Sequence, residues 1–306
     1  MAVNPDIARL INKVRDDRTH GAIELARQAL GVLKTTAENS QAVTGEQFLG
    51  GLNEAGQELI SARPTMTPIR NIVSRLLREI SAKVPAGDVA LLRELTISTV
   101  DEKIDESLKA LTQIVAYGRE LIAEGERIMT HSFSSTVVAL LEEISRQAGG
   151  IEVVVTRSGP GRTGETIARR LDDSGLPVTF IDDAAVGLYM SDVNRVLLGA
   201  DTISAAGVVN GVGSYQVAVL ADRHGVPVYV LADTLKFDTT RGNRQFDFED
   251  RDGGELADPT DVGQTVDIRN PHFDITPLEL FTGVVTERGI MTPDGVIDYL
   301  NEQPVS

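Results

Sequence analysis

No cysteine occurs in the chain, and this absence removes disulfides, thiolate metal sites and a thiol nucleophile together. Tryptophan is missing too, and lysine is scarce, with six residues against twenty-three arginines. No window approaches the uninterrupted apolar run of a membrane-spanning helix, and the opening MAVNPDIARLINKVRDD lacks a signal-peptide pattern. A cytoplasmic protein that does not engage a membrane is expected. No cluster of His, Asp and Glu has metal-ligand spacing, and neither a Gly-x-Ser-x-Gly elbow nor a triad is present, which disfavours a metal site or a hydrolase.

Negative charge, by contrast, is in excess. The net charge is -16 over 306 residues, with the acidic residues scattered through every segment. Such a surface repels a nucleic-acid backbone and stays soluble where counterions are plentiful, so direct nucleic-acid binding is disfavoured and a high-salt cytoplasm is expected. With 42% hydrophobic residues the chain can bury one large core or two smaller ones, and a two-lobed protein is the default.

From Asp6 to about Arg127 apolar residues recur at spacings of three and four, as in Ala22, Leu25, Ala26, Ala29, Leu33 and in Ile72, Leu76, Leu77, Ile80. This half reads as helical, with breaks at Gly50-Gly51 and Pro85-Ala86-Gly87 and a long helix, or two in series, from Leu92 to Ala123. From Ile151 the period changes. Ile151 to Thr156, Pro177 to Ile181, Arg195 to Leu198 and Val226 to Leu231 are short runs rich in β-branched residues, separated by helical stretches. Alternation of strand and helix with both strand faces apolar implies a parallel sheet covered on both sides. The expected architecture is an α/β protein: a helical domain over residues 1–127 and a Rossmann-like domain with a mainly parallel sheet over 128–306. Ligands of such sheets collect at the carboxyl ends of strands, where residues 130–135, 157–164, Asp182-Asp183 and Asp201 fall. The acidic stretch from Asp238 to Gly263 reads as an exposed loop.

Gly159-Pro160-Gly161-Arg162-Thr163-Gly164 is a Gly-x-Gly-x-x-Gly run between a strand and a helix, and Asp182-Asp183 follows at nearly the distance of a dinucleotide-binding fingerprint. Its amides at a helix start also suit a simple anion. His224, just before Gly225, reads as a helix C-terminal residue favoured by the dipole.

The stretch from Arg195 to Asp238 holds a carboxylate, Asp201, at a strand's end. An Asn-centred loop at Asn210, a helix start at Gly213-Ser214-Tyr215-Gln216 and a final buried strand from Val228 to Leu231 follow it. Further on stands Asn270-Pro271-His272-Phe273-Asp274-Ile275-Thr276-Pro277. These segments resemble the superfamily of the alpha, beta and delta subunits of translation initiation factor 2B, ribose-1,5-bisphosphate isomerase and methylthioribose-1-phosphate isomerase. The likeness covers the α/β half and, more faintly, the helical half.

In the isomerases of that superfamily a Cys, two residues after a Thr, faces an Asp over a sugar phosphate. The resemblance puts Ser132, in Thr130-His131-Ser132-Phe133-Ser134, at the Cys position and Asp201 at the Asp position. A thiol titrating near ~8.5 exchanges protons around neutrality, whereas a hydroxyl does not without an activating base. Ser132 reads equally well as a cap for the following helix. Asp201, with Gly199 and Ala200 before it leaving room for a ligand, reads as a general base or hydroxyl-binding group, or as a loop carboxylate capping a turn.

For phosphate, Arg63 in Ala62-Arg63-Pro64-Thr65 resembles the family's Arg-Pro-Thr turn and suits bidentate contact, although a surface arginine at a helix start reads the same. His20-Gly21 stands where the isomerases have Arg-Gly, Gly159 replaces the Arg of an Arg-Pro pair, and Asn210-Gly211 replaces Asn-Lys; Arg157 or Arg162 can supply charge from the same loop.

Phe133-Ser134 fits the alpha regulatory subunit, which also lacks the Cys. The resemblance therefore implies an archaeal-type, halophilic regulatory or ligand-binding protein without isomerase turnover, keeping a degenerate pocket around Arg63, Ser132, Asp201 and Asn210. The alternative is an aldose–ketose isomerase acting on ribose 1,5-bisphosphate or a related phosphosugar, with Asp201 as base and Ser132 or His131 in place of the thiol. A dinucleotide enzyme is a third reading. Apart from that third reading no cofactor is implied. The partners implied are a phosphorylated sugar or nucleotide, a second copy in a homodimer or higher homo-oligomer, and an initiation factor.

Overall fold

The structure is a computed structural model that describes residues 4–302 except 18–19, 65, 84–87, 148–149, 241–247, 249 and 264. Two compact units result: residues up to Leu111 together with Leu235–Phe237, and Thr112–Thr234 together with the chain from Asp238 onward.

The first unit is helical. Its elements are α1 (Pro5–Asp16), α2 (Ala22–Glu38), α3 (Gly45–Ala62), α4 (Thr67–Lys83) and most of α5 (Val89–Glu120). Side chains close the orphan amides at the helix starts. Asn4 accepts from Asp6 N at 2.9 Å, with Pro5 in the first turn of α1, and Thr44 accepts from Gln47 N at 3.2 Å at the start of α3. Leu25, Leu30, Leu33, Leu59, Val73, Leu76 and Ile80 are fully buried at the centre of this unit. Gly56 lets α4 approach α3, since a Cβ there would stand 2.8 Å from Leu77 Cδ1. The break anticipated at Gly50-Gly51 does not occur. Both glycines lie inside α3, whose buried stripe of Phe48, Leu52, Ala55 and Leu59 keeps the helix continuous at the modest cost of two glycines. The break at Pro85-Ala86-Gly87 lies outside the described residues.

The second unit alternates strand and helix: β1 (Arg127–His131), α6 (Ser135–Arg146), β2 (Glu152–Thr156), α7 (Gly164–Asp173), β3 (Val178–Ile181), α8 (Val186–Tyr189), β4 (Arg195–Leu198), β5 (Thr202–Ser204), β6 (Gly207–Gly211), α9 (Ser214–His224), β7 (Val228–Leu231), α10 (Pro259–Val262), β8 (Phe273–Thr276), β9 (Gly283–Thr286), β10 (Gly289–Met291) and α11 (Pro293–Glu302). Seven strands form one sheet in the order β10-β9-β7-β4-β1-β2-β3, parallel except for β10. A second, antiparallel sheet of β5, β6 and β8 was not anticipated from the sequence. In the central strands β-branched and leucine side chains are buried on both faces, as parallel pairing requires: Ile128 and Met129, Val153 to Val155, Val196 to Leu198. In the stretch from Asp238 to Gly263 the described residues after Asp238 are exposed or half-buried, as expected of a surface loop, and only its start is anchored inward: Asp238 is 1% exposed and donates its amide to Ile203 O of β5 at 2.7 Å. Among the described residues no helix is long and apolar enough to cross a membrane.

Two glycines make opposite predictions. At Gly164, the first residue of α7, a Cβ would fall 1.8 Å from Thr156 O and 2.9 Å from Arg157 O, both backbone. Gly164→Ala should therefore cost at least ~3 kcal/mol, beyond ordinary overpacking. Gly31, inside α2, has nothing within 4 Å of its Cβ position, and Gly31→Ala should stabilise by about 0.5–1 kcal/mol. Chemical denaturation of the two variants measures both.

Candidate functional site

Beginning at β1, the parallel strands step outward through β2 and β3, whereas β4, β7 and β9 step the other way, so the strand order reverses between β1 and β4. Open α/β sheets bind ligands at the carboxyl ends of strands where such a reversal opens a crevice. Ser132 is the first residue beyond β1 and Asp201 lies just beyond β4, and the register aligns His131 with Leu198. The two residues singled out for chemistry thus flank the switch point of the sheet.

His131 joins three segments behind Ser132. It is 1% exposed. Its Nε2 lies 2.8 Å from Val212 O, a carbonyl that can only accept, so Nε2 carries the proton; Nδ1 then accepts from Thr156 Oγ1 at 2.7 Å. Burial pushes the imidazole below its usual titration range, against the opposing pull of the Val212 carbonyl, Asp183 and Asp274. With both nitrogens engaged by Thr156 and Val212, His131 is a buried strut between three segments, with neither nitrogen turned to the crevice.

Ser132 has a left-handed backbone, φ 64°, unusual for a residue with a side chain. Its amide donates to Ser158 Oγ at 2.8 Å, and the next amide, of Phe133, donates to Thr163 Oγ1 at 3.2 Å, so the turn after β1 is fixed to the loop after β2. The hydroxyl of Ser132 packs on Gly211, where a Cβ would stand 2.3 Å from Ser132 Oγ. Ser132 does not cap α6. That role falls to Ser134, which accepts from Val137 N at 3.3 Å. Gly199 gives no room to a ligand either, because the Ser134 side chain fills it, 2.5 Å from its Cβ position. Asp201 is half-buried and its amide donates to Val209 O at 2.8 Å, which ties the end of β4 to β6.

The Gly-x-Gly-x-x-Gly loop has a different occupant from the one its pattern suggests. Ser158 N and Gly159 N donate to Asp183 Oδ1 and Oδ2 at 2.8 and 2.7 Å. Asp183 thus takes the amides a pyrophosphate would need, and it faces the loop where a ribose-binding acid would have to face the ligand. Arg157 is exposed, its nearest carboxylate being Asp182 at 3.9 Å, and Arg162, also left-handed at φ 53°, pairs with Glu165 at 2.6 Å.

Asn210 is 4% exposed and turned inward: its Nδ2 donates to Ser214 Oγ at 2.9 Å, and Ser214 Oγ donates to Gly211 O at 2.7 Å. Opposite it in register is Asp274, whose Oδ2 accepts from Gly213 N at 2.7 Å and Tyr215 N at 3.1 Å. Burial raises the Asp274 carboxyl above its ordinary range even against those two amides and the neighbouring His131.

Three sequence-predicted phosphate residues meet in the helical unit. Arg63 donates through Nε to Val14 O at 3.2 Å and through a second nitrogen to Asp17 O, at the end of α1. His20 Nδ1 lies 2.6 Å from Asp17 Oδ2, and Gly21, at the start of α2, donates to Glu24 Oε2 at 3.2 Å. Asp17 therefore links Arg63 and His20. A cavity of about 270 Å³ opens elsewhere in this unit, beside Asn39, Phe48 and Gly51, and contains none of the predicted residues. Among the described residues no group of three or more His, Asp or Glu is placed to hold a metal ion.

Thr156, Ser158 and the packing role of Gly211 and Gly213 escaped sequence reasoning, since each depends on contacts between the ends of different strands. Gly213 offered the one local signal. It precedes a helix, has φ 105°, and a Cβ there would meet the His131 ring at 2.7 Å.

Residues 18–293 match a family described as the initiation factor 2 subunit family. The ribose 1,5-bisphosphate isomerase of Haloferax volcanii is 33% identical, over 98% of this chain and 93% of that protein. Among solved structures, a 5-methylthioribose 1-phosphate isomerase from Pyrococcus horikoshii superposes with a TM-score of 0.81 at 25% identity, covering 97% of this chain and 87% of that one. A translation initiation factor eIF-2B from the same organism gives 0.79 at 29% identity, covering 95% and 98%. These matches overturn the expectation of a regulatory or ligand-binding protein without turnover: a chain matching along its whole length at one-third identity carries the name of an isomerase. That expectation gave one side chain, Ser132, more weight than similarity extending over the entire fold.

The buried neutral imidazole predicts a pH dependence. The unfolded chain takes up a proton at His131 near ~6.5 while the folded chain resists it, so this contribution to stability is complete above about that pH and is lost as pH falls below it. Thermal unfolding followed from neutral into acid should show a shallower decline for His131→Gln than for the wild type; parallel curves would contradict a buried neutral ring.

Proposed function

The chain belongs to the initiation factor 2 subunit family, and from that premise we propose that it is a sugar-phosphate aldose–ketose isomerase, with ribose 1,5-bisphosphate as its first candidate substrate. The observation that carries this reading is near full-length similarity to a ribose 1,5-bisphosphate isomerase. Its support in the geometry is the position of Asp201 and Ser132 on either side of the sheet's switch point.

Because the 1-phosphate blocks O1, conversion of ribose 1,5-bisphosphate to its ketose breaks the C1–O4 ring bond, moves the C2 hydrogen to C1, and passes the O2 proton to O4 as O2 becomes the ketone oxygen, with no net oxidation. Asp201 is assigned the general base that takes and returns the carbon-bound proton. Ser132 is assigned the hydrogen bond to the substrate oxygen on which charge develops; as a hydroxyl of high pKa it orients that oxygen and does not ionise. The left-handed turn at Ser132, held by Ser158 and backed by Gly211, presets that hydroxyl. Phosphate contact near Ser132 and Asp201 is assigned to Arg157 and Arg162, which lie in the same α/β unit. The acidic composition favours assay in concentrated potassium chloride, and a homo-oligomer is the proposed working form.

Incubation with ribose 1,5-bisphosphate should yield the ketose product, read by phosphorus NMR, and methylthioribose 1-phosphate serves as the competing substrate. Asp201→Asn should lower kcat by about 10²–10⁴, the range for loss of a general acid–base group. Ser132→Cys, which restores a group titrating near ~8.5, should raise kcat. Absence of turnover on either sugar, or an Asp201→Asn variant as active as the wild type, would reject the assignment.

A further inference from the structure

Five backbone polar groups in the turn from Gly211 to Tyr215 are fixed by hydrogen bonds. Gly211 O accepts from Ser214 Oγ, Val212 N donates to His272 O at 3.0 Å, and Val212 O accepts from His131. Gly213 N and Tyr215 N both donate to one oxygen of Asp274. The turn supports the site from beneath, with Ser132 packed on Gly211 and Asn210 entering it from β6. We propose that Asp274 is a positioning residue for this site: by accepting from the first amides of α9 it clamps the turn on which Ser132 rests, opposite the clamp that His131 applies at Val212. This role rests on the isomerase reading for its catalytic meaning, while the clamp itself is a matter of geometry.

A helix N-terminus with a carboxylate on two of its amides normally holds that carboxylate ionised. Here the second oxygen, Oδ1, is buried without a hydrogen-bond partner among the described residues, and burial outweighs the amides. Such a placement costs stability, which the two hydrogen bonds to its other oxygen partly offset. The ionisable or charged neighbours are few. His131 acts on Asp274 from β1, Asp183 Oδ1 stands 3.8 Å from His131 Nδ1, His272 lies two residues before Asp274, and β6 carries no charged residue. On α9 Tyr215 is adjacent, and Asp222, Arg223 and His224 lie in the last turn, away from the two amides.

An asparagine amide oxygen can accept both N–H bonds without titrating, and alanine can accept neither. Asp274→Asn should keep kcat/KM close to wild type and lose the part of the acid limb that Asp274 contributes, because protonation as pH falls weakens the acceptor only in the wild type. Asp274→Ala should lower kcat/KM by about 10²-fold, the scale of a misplaced catalytic group. An alanine variant with wild-type kcat/KM and pH profile, or a folded asparagine variant as impaired as alanine, overturns the proposal. If the wild type converts neither sugar phosphate, the isomerase reading fails by itself, and amide exchange by NMR decides the clamp: Gly213 and Tyr215 protected in wild type and Asp274→Asn but fast in Asp274→Ala sustains it, and equal exchange in all three rejects it.

Discussion

The imidazole of His131 is the joint on which the candidate site depends. One nitrogen holds the end of β2 through Thr156 and the other holds the entry to α9 through Val212, while its own backbone ends β1. Three chain segments far apart in sequence are brought to one point by a ring whose titration burial pushes downward. Because the ring must donate at Nε2, the donor–acceptor order of the neighbouring hydroxyls follows: Thr156 donates to Nδ1, and Ser158, 3.1 Å from Thr156 Oγ1, is left to receive the Ser132 amide. A small polar chain thus passes from the protein interior to the residue at the mouth of the crevice. Fully satisfied buried networks of this kind specify one arrangement.

That arrangement gives the two chemical residues different characters. Asp201 stands on backbone held by β6 at the end of a central strand, and Ser132 is held in a strained turn by partners on either side. Strain maintained by its surroundings at the mouth of a crevice is a common mark of a working site. Carboxylates at this end of the sheet have distinct settings: Asp201 lies just beyond β4, Asp183 holds the loop amides and Asp274 holds the amides of Gly213 and Tyr215. Only the first is on the proposed reaction path. Asp183 and Asp274 both hold backbone N–H groups, two architectural uses of one residue type within a few strands.

Much of this architecture could be read from the amino acids. The apolar spacing of α2 and α4 and the β-branched runs of β2, β4 and β7 located helices and strands, because burial on one stripe or on two faces leaves a periodic trace. What failed to show has an equally physical reason. Gly50-Gly51 looks like a break when only local propensity is considered, yet Phe48 and Leu52 are anchored by tertiary packing that overrides it. The sheet of β5, β6 and β8 consists of very short strands pairing Val209 with Ile275, far apart in the chain, and leaves no local pattern. At the site, the place of Asp201 just beyond a strand was legible in the strand pattern, and the neighbouring serines were distinguished only in three dimensions: Ser134 caps the helix and Ser132 does not. Function was misjudged for a related reason. One missing thiol is a local fact, whereas similarity along the whole chain reports on the entire fold.

Asp183 has a consequence for selectivity. A carboxylate covalently tied to its own loop competes at an effective concentration that a freely diffusing anion rarely equals. Any phosphate arriving at Ser158 and Gly159 must first evict this resident, so the glycine-rich loop discriminates against casual anions. The surrounding acidity would otherwise leave that discrimination to long-range repulsion alone, which dissolved salt screens.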